Sequence, residues 1–341
     1  MLETIWFLLW GILWALYFML DGFDLGLGTL MPFLGKNDTE RRIIYNTMGP
    51  FWDGNEVWLI TAGGVTFAAF PGTYAVLFSA FYSPLMIILF ALIIRAAAFE
   101  FRGKLPGRAW RSLWDGCLAL GSFVPALLFG VAFANIFRGI PIDGEGVYQG
   151  SLFTLLNLYS LLGGLLFLLL FLVHGALWLA VKSEGILQQR AIRYAKSLWL
   201  LLVIVAVLFL AHTWFETDLY HNYRLIPALF LIPLCAVLAL LLVRAYLSQK
   251  TCVKAWFASC LVIICVTLFG VMGLYPNMLI SSMNPAYNLT AFNAASSPGT
   301  LKIMLVVALI FVPIVILYQG WVYLLFRHKV HTEDLQSDEA Y

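Results

Sequence analysis

The stretch TIWFLLWGILWALYFMLDGFDLGLGTLM, residues 4–31, decides the fold class, because it is a long apolar run whose only charges are Asp21 and Asp24. A helix needs about 20 apolar residues to cross the hydrocarbon core of a bilayer. A charged side chain placed there costs at least about 2.5 to 3.5 kcal/mol. The stretch therefore predicts a membrane-spanning helix that keeps two carboxylates for pairing or for moving ions.

The rest of the chain is equally apolar. Hydrophobic residues make up 62% and charged residues 11% of the 341 positions, whereas about 25% of residues are charged in a typical soluble domain. Eight further apolar segments follow the first, so we predict an all-α integral membrane protein with nine transmembrane helices. The predicted spans are residues 4–31, 50–70, 75–98, 114–137, 152–181, 197–215, 225–247, 255–275 and 301–326.

The positions of the basic residues predict the orientation of the spans. If the connecting loops alternate between two sides, sixteen Lys and Arg residues lie on one side and only Arg138, Arg224 and Lys302 on the other. Arg95 falls inside the third span. Loops rich in Lys and Arg remain in the cytoplasm. We therefore expect the N-terminus outside and the C-terminus in the cytoplasm.

Other features of composition argue against several classes of site. The formal net charge of +2 gives no reason to expect a nucleic-acid partner. The five cysteines lie mostly in apolar runs without a CxxC pair, which favours reduced thiols over disulfides or metal ligands. We therefore predict no metal site, and membrane lipid as the surrounding medium.

A cluster of acidic residues is the candidate functional site. Six acids lie within or beside apolar spans in the first third of the chain: Asp21, Asp24, Asp53, Glu56, Glu100 and Asp115. A three-residue spacing places Asp21 with Asp24, and Asp53 with Glu56, on one face of a helix each. Arg95 lies about twenty residues into the third span, which brings it to the same cytoplasmic half of the membrane. The glycines of DGFDLGLG allow another backbone to approach this site closely.

Two interpretations of the cluster remain open. In the structural one, Arg95 neutralises one carboxylate and the others accept hydrogen bonds from Asn55, Trp side chains or helix N-terminal amides. In the functional one, the carboxylates outnumber the one intramembrane Arg, and the surplus is partly protonated or hydrated, as a proton relay requires. We favour the functional interpretation for Asp53, with these cluster partners: Asp24, Glu56, Asp21 and Arg95.

Histidines are the remaining candidates for binding a cofactor. His174 lies in the predicted fifth span and His212 near the outer end of the sixth. A lone histidine in a membrane span is more often a hydrogen-bonded packing residue than a haem or metal ligand. We therefore expect this chain to bind no cofactor itself, with His174 as the weak alternative.

Three parts of the sequence resemble one known family. They are DGFDLGLG at residues 21–28, GKNDTERRIIYNTMGPFWDGNEVWLITAGG at 35–64, and FRGK, WRSLWD and GSFVPALLFGVAFANIFRG within 101–139. The similarity is dense over residues 17–140 and looser over 141–330. On these motifs the chain resembles subunit II of the bacterial cytochrome bd quinol oxidases.

The resemblance implies a particular arrangement of the spans in the bacterial cytoplasmic (inner) membrane. Two four-helix bundles and one peripheral helix are expected. The first bundle holds spans 1–4 and the acid cluster, the second holds spans 5–8, and a cytoplasmic tail follows the ninth span. The implied boundaries are 1–140 for the first bundle, 150–276 for the second, 300–327 for the peripheral span and 328–341 for the tail.

The resemblance also implies a function and a set of partners. In that family, subunit I holds two b-type haems and haem d, or a b-type haem in its place, and the complex oxidises quinol and reduces dioxygen to water. Subunit II carries no haem, is needed for assembly, and is thought to supply a proton route through the aspartate of the WDGN motif, here Asp53. Some members hold a structural quinone in this subunit, and small single-span accessory subunits are further possible partners.

Two other functions remain open at this point. A free-standing proton-coupled transporter is one, but many such proteins have inverted repeats with polar residues in both halves, whereas the buried acids here are confined to the first part of the chain. A purely structural scaffold for subunit I is the other.

Overall fold

The structure, a computed structural model, describes residues 1–336 and is almost entirely helical, which confirms the all-α prediction. Of the predicted tail 328–341, residues 337–341 lie outside the described part. Two short antiparallel strands are β1 (Asn277–Leu279) and β2 (Leu289–Thr290). The α-helices are α1 (Leu2–Leu20), α2 (Gly22–Leu34), α3 (Asp38–Met48), α4 (Trp52–Ala69), α5 (Pro71–Ala80), α6 (Tyr82–Phe101), α7 (Arg108–Arg138), α8 (Leu158–Lys182), α9 (Gly185–Glu216), α10 (Tyr220–Leu225), α11 (Leu231–Ser248), α12 (Cys252–Leu274) and α13 (Pro298–Leu325).

Within residues 1–336, eight helical segments are long and apolar enough to cross a membrane, as expected for an integral membrane protein. They are Leu2–Leu34, Tyr82–Phe101, Arg108–Arg138, Leu158–Lys182, Gly185–Glu216, Pro227–Ser248, Cys252–Leu274 and Pro298–Leu325. Helix α4, at the position of the predicted second span, is not among them, because Asp53, Asn55 and Glu56 lower the mean hydropathy of its 18 residues. The count of nine transmembrane helices therefore stays a prediction, because it requires α4 to cross the membrane as well.

The third span begins later than the sequence predicted. We expected it at residues 75–98, but the chain forms the short helix α5, leaves helical geometry at Phe81 (φ −98°, ψ 18°) and begins α6 at Tyr82. Pro84 lies in the first turn of α6, where a missing N–H costs no intrahelical hydrogen bond. This proline is therefore placed at the start of the helix, where it is easily tolerated.

Asp21 forms the junction between α1 and α2. Its backbone stays in the right-handed helical region (φ −81°, ψ −17°). Asp21 N donates to Tyr17 O at 2.9 Å, and Leu25 N donates to Asp21 O at 2.9 Å. Because hydrogen bonds reach the junction from both sides, the two helices form one span, Leu2–Leu34, with the first two acids inside it.

Helix α2 packs closely against both α7 and α8. A Cβ atom at Gly26 would overlap the carbonyl of Phe171, and one at Gly28 would overlap the Ser122 hydroxyl. On the facing helix, a Cβ at Gly175 would collide with Leu27 N. The predicted close approach at the glycines of DGFDLGLG is confirmed, and it holds the acid-bearing helix in the centre of the fold.

Helix α13 lies on the outside of the molecule. It begins at the N-cap Ser297, whose hydroxyl accepts a hydrogen bond from Thr300 N at 3.3 Å, with Pro298 in the first turn. Leu301 is its one buried residue, and its main helix contacts are with α1 and α4. Its last turns carry Gln319 and Tyr323, which reach α4 and so touch the acid cluster described below.

Candidate functional site: a buried carboxylate cluster

The centre of the site is an ion pair between Asp21, at the α1–α2 junction, and Arg95 of α6. Arg95 Nη2 donates to Asp21 Oδ1 at 2.6 Å, and Nη1 donates to Oδ2 at 3.0 Å. Both side chains are at most 1% exposed. A bidentate, charge-assisted pair satisfies both oxygens of the carboxylate. The one basic residue expected inside a span is therefore paired with Asp21.

Asp24, one turn further along, forms no ion pair within the described residues. Asn55 Nδ2 of α4 donates to Asp24 Oδ2 at 2.7 Å, and the Tyr323 hydroxyl of α13 donates to Asn55 Oδ1 at 3.0 Å. Asp24 Oδ1 is buried and accepts no hydrogen bond from residues 1–336. Because a buried charge without a counter-charge is costly, this carboxyl is suited to taking up a proton.

Gln319 makes a second link between α13 and α4. Trp58 Nε1 donates to Gln319 Oε1 at 2.7 Å, and Gln319 Nε2 donates to Gly54 O at 2.7 Å. These contacts fix the turn of α4 that presents Asn55. Sequence reasoning named Asn55 as a donor but missed Gln319 and Tyr323. The sequence pattern could have indicated both residues, since Gln319 and Tyr323 are four positions apart and so lie on one face of an otherwise apolar helix.

The two acids of α4, Asp53 and Glu56, differ in how deeply they are buried. Asp53 is exposed, and its side chain makes no hydrogen bond or ion pair within the described part of the chain. Glu56 is half-buried and lies close enough to Asp21, Asp53 and Arg95 to interact with them electrostatically. The structure therefore brings Asp21, Asp24, Glu56 and Arg95 together and leaves Asp53 at the rim of the cluster.

Asp115 belongs to a separate ion-pair network at the end of the helices. Arg102 Nε donates to Asp115 Oδ1 at 2.7 Å, and Arg41 Nη1 donates to Asp115 Oδ2 at 2.8 Å. Arg102 also donates to Asp38 Oδ1 at 2.8 Å. Glu100 is exposed. Of the six acids found in the sequence, these two are therefore outside the buried cluster.

His174 lies beside the α1–α2 junction and is fully buried. Its Nε2 is 3.0 Å from Met19 O, and its Nδ1 is 2.6 Å from Ser259 Oγ. A carbonyl only accepts, so Nε2 donates to Met19 O. Ser259 Oγ lies between His174 Nδ1, at 2.6 Å, and Trp256 O, at 2.7 Å. Neither nitrogen is free to ligate haem, which supports a packing role. No group of three or more His, Cys, Asp or Glu suited to a metal ion occurs in residues 1–336.

These features define the class of protein as an all-α integral membrane protein with acidic side chains buried around one guanidinium. Comparison with known proteins narrows the class. Residues 2–326 match the family model described as cytochrome bd terminal oxidase subunit II, and the chain belongs to this family. The identification from the three sequence motifs is confirmed. As subunit II, the chain is part of a terminal oxidase complex that includes a subunit I, and it is a multi-span protein of the inner membrane.

The similarity to individual relatives extends over nearly the whole chain. The chain is 38% identical over 339 residues to cytochrome bd ubiquinol oxidase subunit 2 of Bacillus subtilis, covering 98% of each protein. It is 35% identical over 368 residues to cytochrome bd-I ubiquinol oxidase subunit 2 of Escherichia coli, covering 99% of this chain and 97% of that one. The fold matches a chain of the bd oxidase structure from Geobacillus thermodenitrificans with a TM-score of 0.77 at 19% identity, covering 96% and 98% of the two chains.

Proposed function

We propose that this chain supplies the route by which a bd-type quinol oxidase takes up protons, while the partner subunit I holds the haems and reduces dioxygen to water. The observation that carries the proposal is the surplus of carboxyl groups. Arg95 is paired with Asp21, whereas Asp24 and Glu56 lie beside this pair without an ion pair of their own within the described residues. A carboxyl without a fixed counter-charge can take up and release a proton, as a relay inside a membrane requires.

Asp53 is the residue that we place at the contact with subunit I. It is exposed on a face of α4 whose other exposed side chains, Val57, Ile60 and Phe67, are apolar. A carboxylate that faces hydrocarbon is costly, so water or a partner surface must cover it. Glu56, half-buried one turn away, links Asp53 to the buried acids. Protons would therefore pass between the cluster and subunit I at this point, and the same face would serve assembly of the complex.

The proposal includes the nine-span topology with the N-terminus outside and the bundle boundaries given above. Its support is that three chain segments with basic residues, each connecting two spans, lie at one end of the fold. Arg41 and Arg102 meet at Asp115, and Arg190 Nη1 donates to Glu40 Oε2 at 2.7 Å. The ends of α2 and α6 lie at the same end only if α4 crosses the membrane between them.

Thiol labelling tests this topology. Single cysteines at Gly146 and Ser296, introduced into a cysteine-free chain, should react with an impermeant reagent in intact cells. A cysteine at Ser183 should not react, and its labelling would contradict the nine-span topology.

A groove beside α1 is the place that we propose for a structural quinone. It has a volume of about 590 Å³ and lies between α1, α4, α6 and α7. Its lining is apolar and rich in aromatic rings, among them Trp10, Trp14, Phe81 and Phe129. The Trp14 Nε1 donor is buried without an acceptor in the described residues, and a quinone carbonyl would satisfy it. Haem would remain confined to subunit I.

The decisive experiment replaces the carboxyl at position 53 in the complete oxidase. Asp53→Asn keeps the shape of the side chain but cannot carry a proton. It should slow quinol-driven oxygen reduction while the haem content stays normal, and Asp53→Glu should retain part of the activity. Asp218→Asn, at an exposed loop aspartate far along the chain, is the matched control and should turn over like the wild type.

Two outcomes would count against the proposal. An Asp53→Asn complex with full haem and wild-type turnover would remove Asp53 from the proton route. A complex that loses its haem would instead support the scaffold function, because the carboxylate would then be needed for assembly and not for proton transfer.

A further inference from the structure

One face of the first span carries a row of residues, here called the stripe, that includes two acids of the cluster and extends beyond them at both ends. Tyr17, Asp21, Asp24 and Gly28 are spaced by four, three and four residues, the spacing that keeps side chains on one side of a helix. The backbone hydrogen bonds on either side of Asp21 continue this face across the junction. At about 1.5 Å per residue, the stripe is about 16 Å long.

The outer end of the stripe is a buried hydroxyl without a partner. Tyr17 is 0% exposed, and its hydroxyl faces Asp21 without reaching any partner in residues 1–336 with normal hydrogen-bond geometry. It nevertheless lies close enough to Asp21, Arg95 and Glu56 to interact with them electrostatically. Its ring packs edge-on against Phe129 at 5.4 Å between centroids, so the hydroxyl is held in place by the ring. An unpaired buried hydroxyl normally has a reason, such as an internal water or a catalytic role.

The inner end of the stripe is also a buried hydroxyl without a partner. Ser122 of α7 is 0% exposed, and its Oγ makes no hydrogen bond in the described part of the chain. It approaches α2 at Gly28, where a Cβ atom would overlap it. The preceding residue, Gly121, packs against the backbone of Arg95. Ser122 therefore lies against Gly28 of α2, and the residue before it lies against the helix turn that carries Arg95.

The middle of the stripe holds the third unpaired polar atom, Asp24 Oδ1. Two buried polar atoms without partners in the described residues, the Tyr17 hydroxyl and Asp24 Oδ1, thus lie on this helix face, and a third, Ser122 Oγ, packs against the face from α7. Buried water binds to polar groups that the protein leaves unsatisfied, as each of these atoms is left within the described residues. Hydroxyls and water can each accept one proton and release another, so a file of them transfers protons without a lasting change of charge.

We propose that Ser122 and Tyr17 are further members of the proton route, joined to Asp24 and Asp21 by internal water along this stripe. Ser122 receives protons from the cytoplasmic end of α2, and Tyr17 carries the route beyond the ion pair toward the middle of the membrane. This inference rests on the proposed proton-uptake function, and it adds two residues and a direction to it.

The test compares two pairs of variants in the complete oxidase. Tyr17→Phe and Ser122→Ala remove hydroxyls that make no hydrogen bond within the described residues, so neither should lower the melting temperature. Both should lower kcat for quinol-driven oxygen reduction about tenfold, with unchanged KM for quinol and full haem content. The loss should grow as the pH rises, because fewer protons are then available to enter the route.

Matched controls come from the second half of the chain. Tyr159→Phe removes a fully buried hydroxyl that is hydrogen-bonded to Thr213 Oγ1 at 3.0 Å. Ser160→Ala removes one that donates to Leu155 O at 2.5 Å, with Asn157 O also near, at 2.9 Å. These two variants should lower the melting temperature and keep the wild-type dependence of kcat on pH. Tyr17→Phe and Ser122→Ala are expected to do the opposite: they keep the melting temperature and change the dependence of kcat on pH.

The inference is overturned if Tyr17→Phe and Ser122→Ala turn over like the wild type at every pH while Asp53→Asn is slow, a result that leaves the proposed function intact. It is also overturned if either variant loses haem or melts at a lower temperature, since the hydroxyl would then have a structural role. Wild-type turnover of all three variants would count against the proposed function itself.

Discussion

Removal of one partner of the Asp21–Arg95 pair should cost far more stability than removal of both. Asp21→Asn leaves a guanidinium that is 1% exposed and has lost its carboxylate, and Arg cannot lose its proton in a protein. Arg95→Met leaves a carboxyl that is 0% exposed and has lost its guanidinium. Each single variant therefore buries an unpaired group, whereas the double variant Asp21→Asn, Arg95→Met buries none.

The magnitudes follow from the burial of the pair. Removal of one partner of a buried ion pair costs about 3 to 5 kcal/mol. We expect Asp21→Asn and Arg95→Met each to lower the free energy of unfolding by about this much.

The assay is denaturation of the purified oxidase with sodium dodecyl sulfate in mixed micelles. The double variant Asp21→Asn, Arg95→Met removes both charges and should regain most of the stability lost by Asp21→Asn alone. Losses below about 1 kcal/mol, as for exposed ion pairs, would show that water reaches the pair. A double variant as unstable as Asp21→Asn alone would also refute the reasoning, because an unpaired buried charge could not then be the cause of the loss.

Three further predictions concern the packing around the site. Gly26→Ala should prevent stable assembly, because its Cβ overlaps the Phe171 carbonyl, whereas Gly116→Ala, with no atom within 4 Å of the new Cβ, should leave the melting temperature unchanged or raise it. Burial raises the pKa of Glu40, but hydrogen bonds from Arg190 and Lys36 N outweigh burial and lower the pKa from its usual value of 4.5. The Glu40 carboxylate therefore stabilises the fold above about pH 4.5, and this stabilisation is lost as the pH falls below that value. Acid should therefore lower the melting temperature of the wild type more than that of Glu40→Gln. His174→Ala should lower the melting temperature through loss of the bonds to Met19 O and Ser259, while absorption spectra show every haem band of the complex in place.

Much of the site could be predicted from the sequence because its causes are local. Apolar runs of membrane-spanning length, the three-residue spacing of the acids and the glycines of DGFDLGLG are properties of consecutive residues. They predicted eight of the apolar helices, the grouping of Asp21, Asp24 and Glu56, and the close helix contact. The single Arg inside a span also predicted that most of the acids would lack a cation. The motifs in residues 17–140 were specific enough to identify the family.

Only the tertiary structure decided which groups meet. Asp21, Asp24, Asp53 and Glu56 have equivalent spacings in the sequence, yet Arg95 pairs with Asp21, Asn55 donates to Asp24, and Asp53 faces outward. The partner of each group depends on how far each helix is rotated about its axis. That rotation is set by contacts between distant residues, such as the bond from Tyr323 to Asn55 across 268 positions. Hydropathy and spacing fix the depth of a side chain in the membrane, but the packing of whole helices fixes its direction.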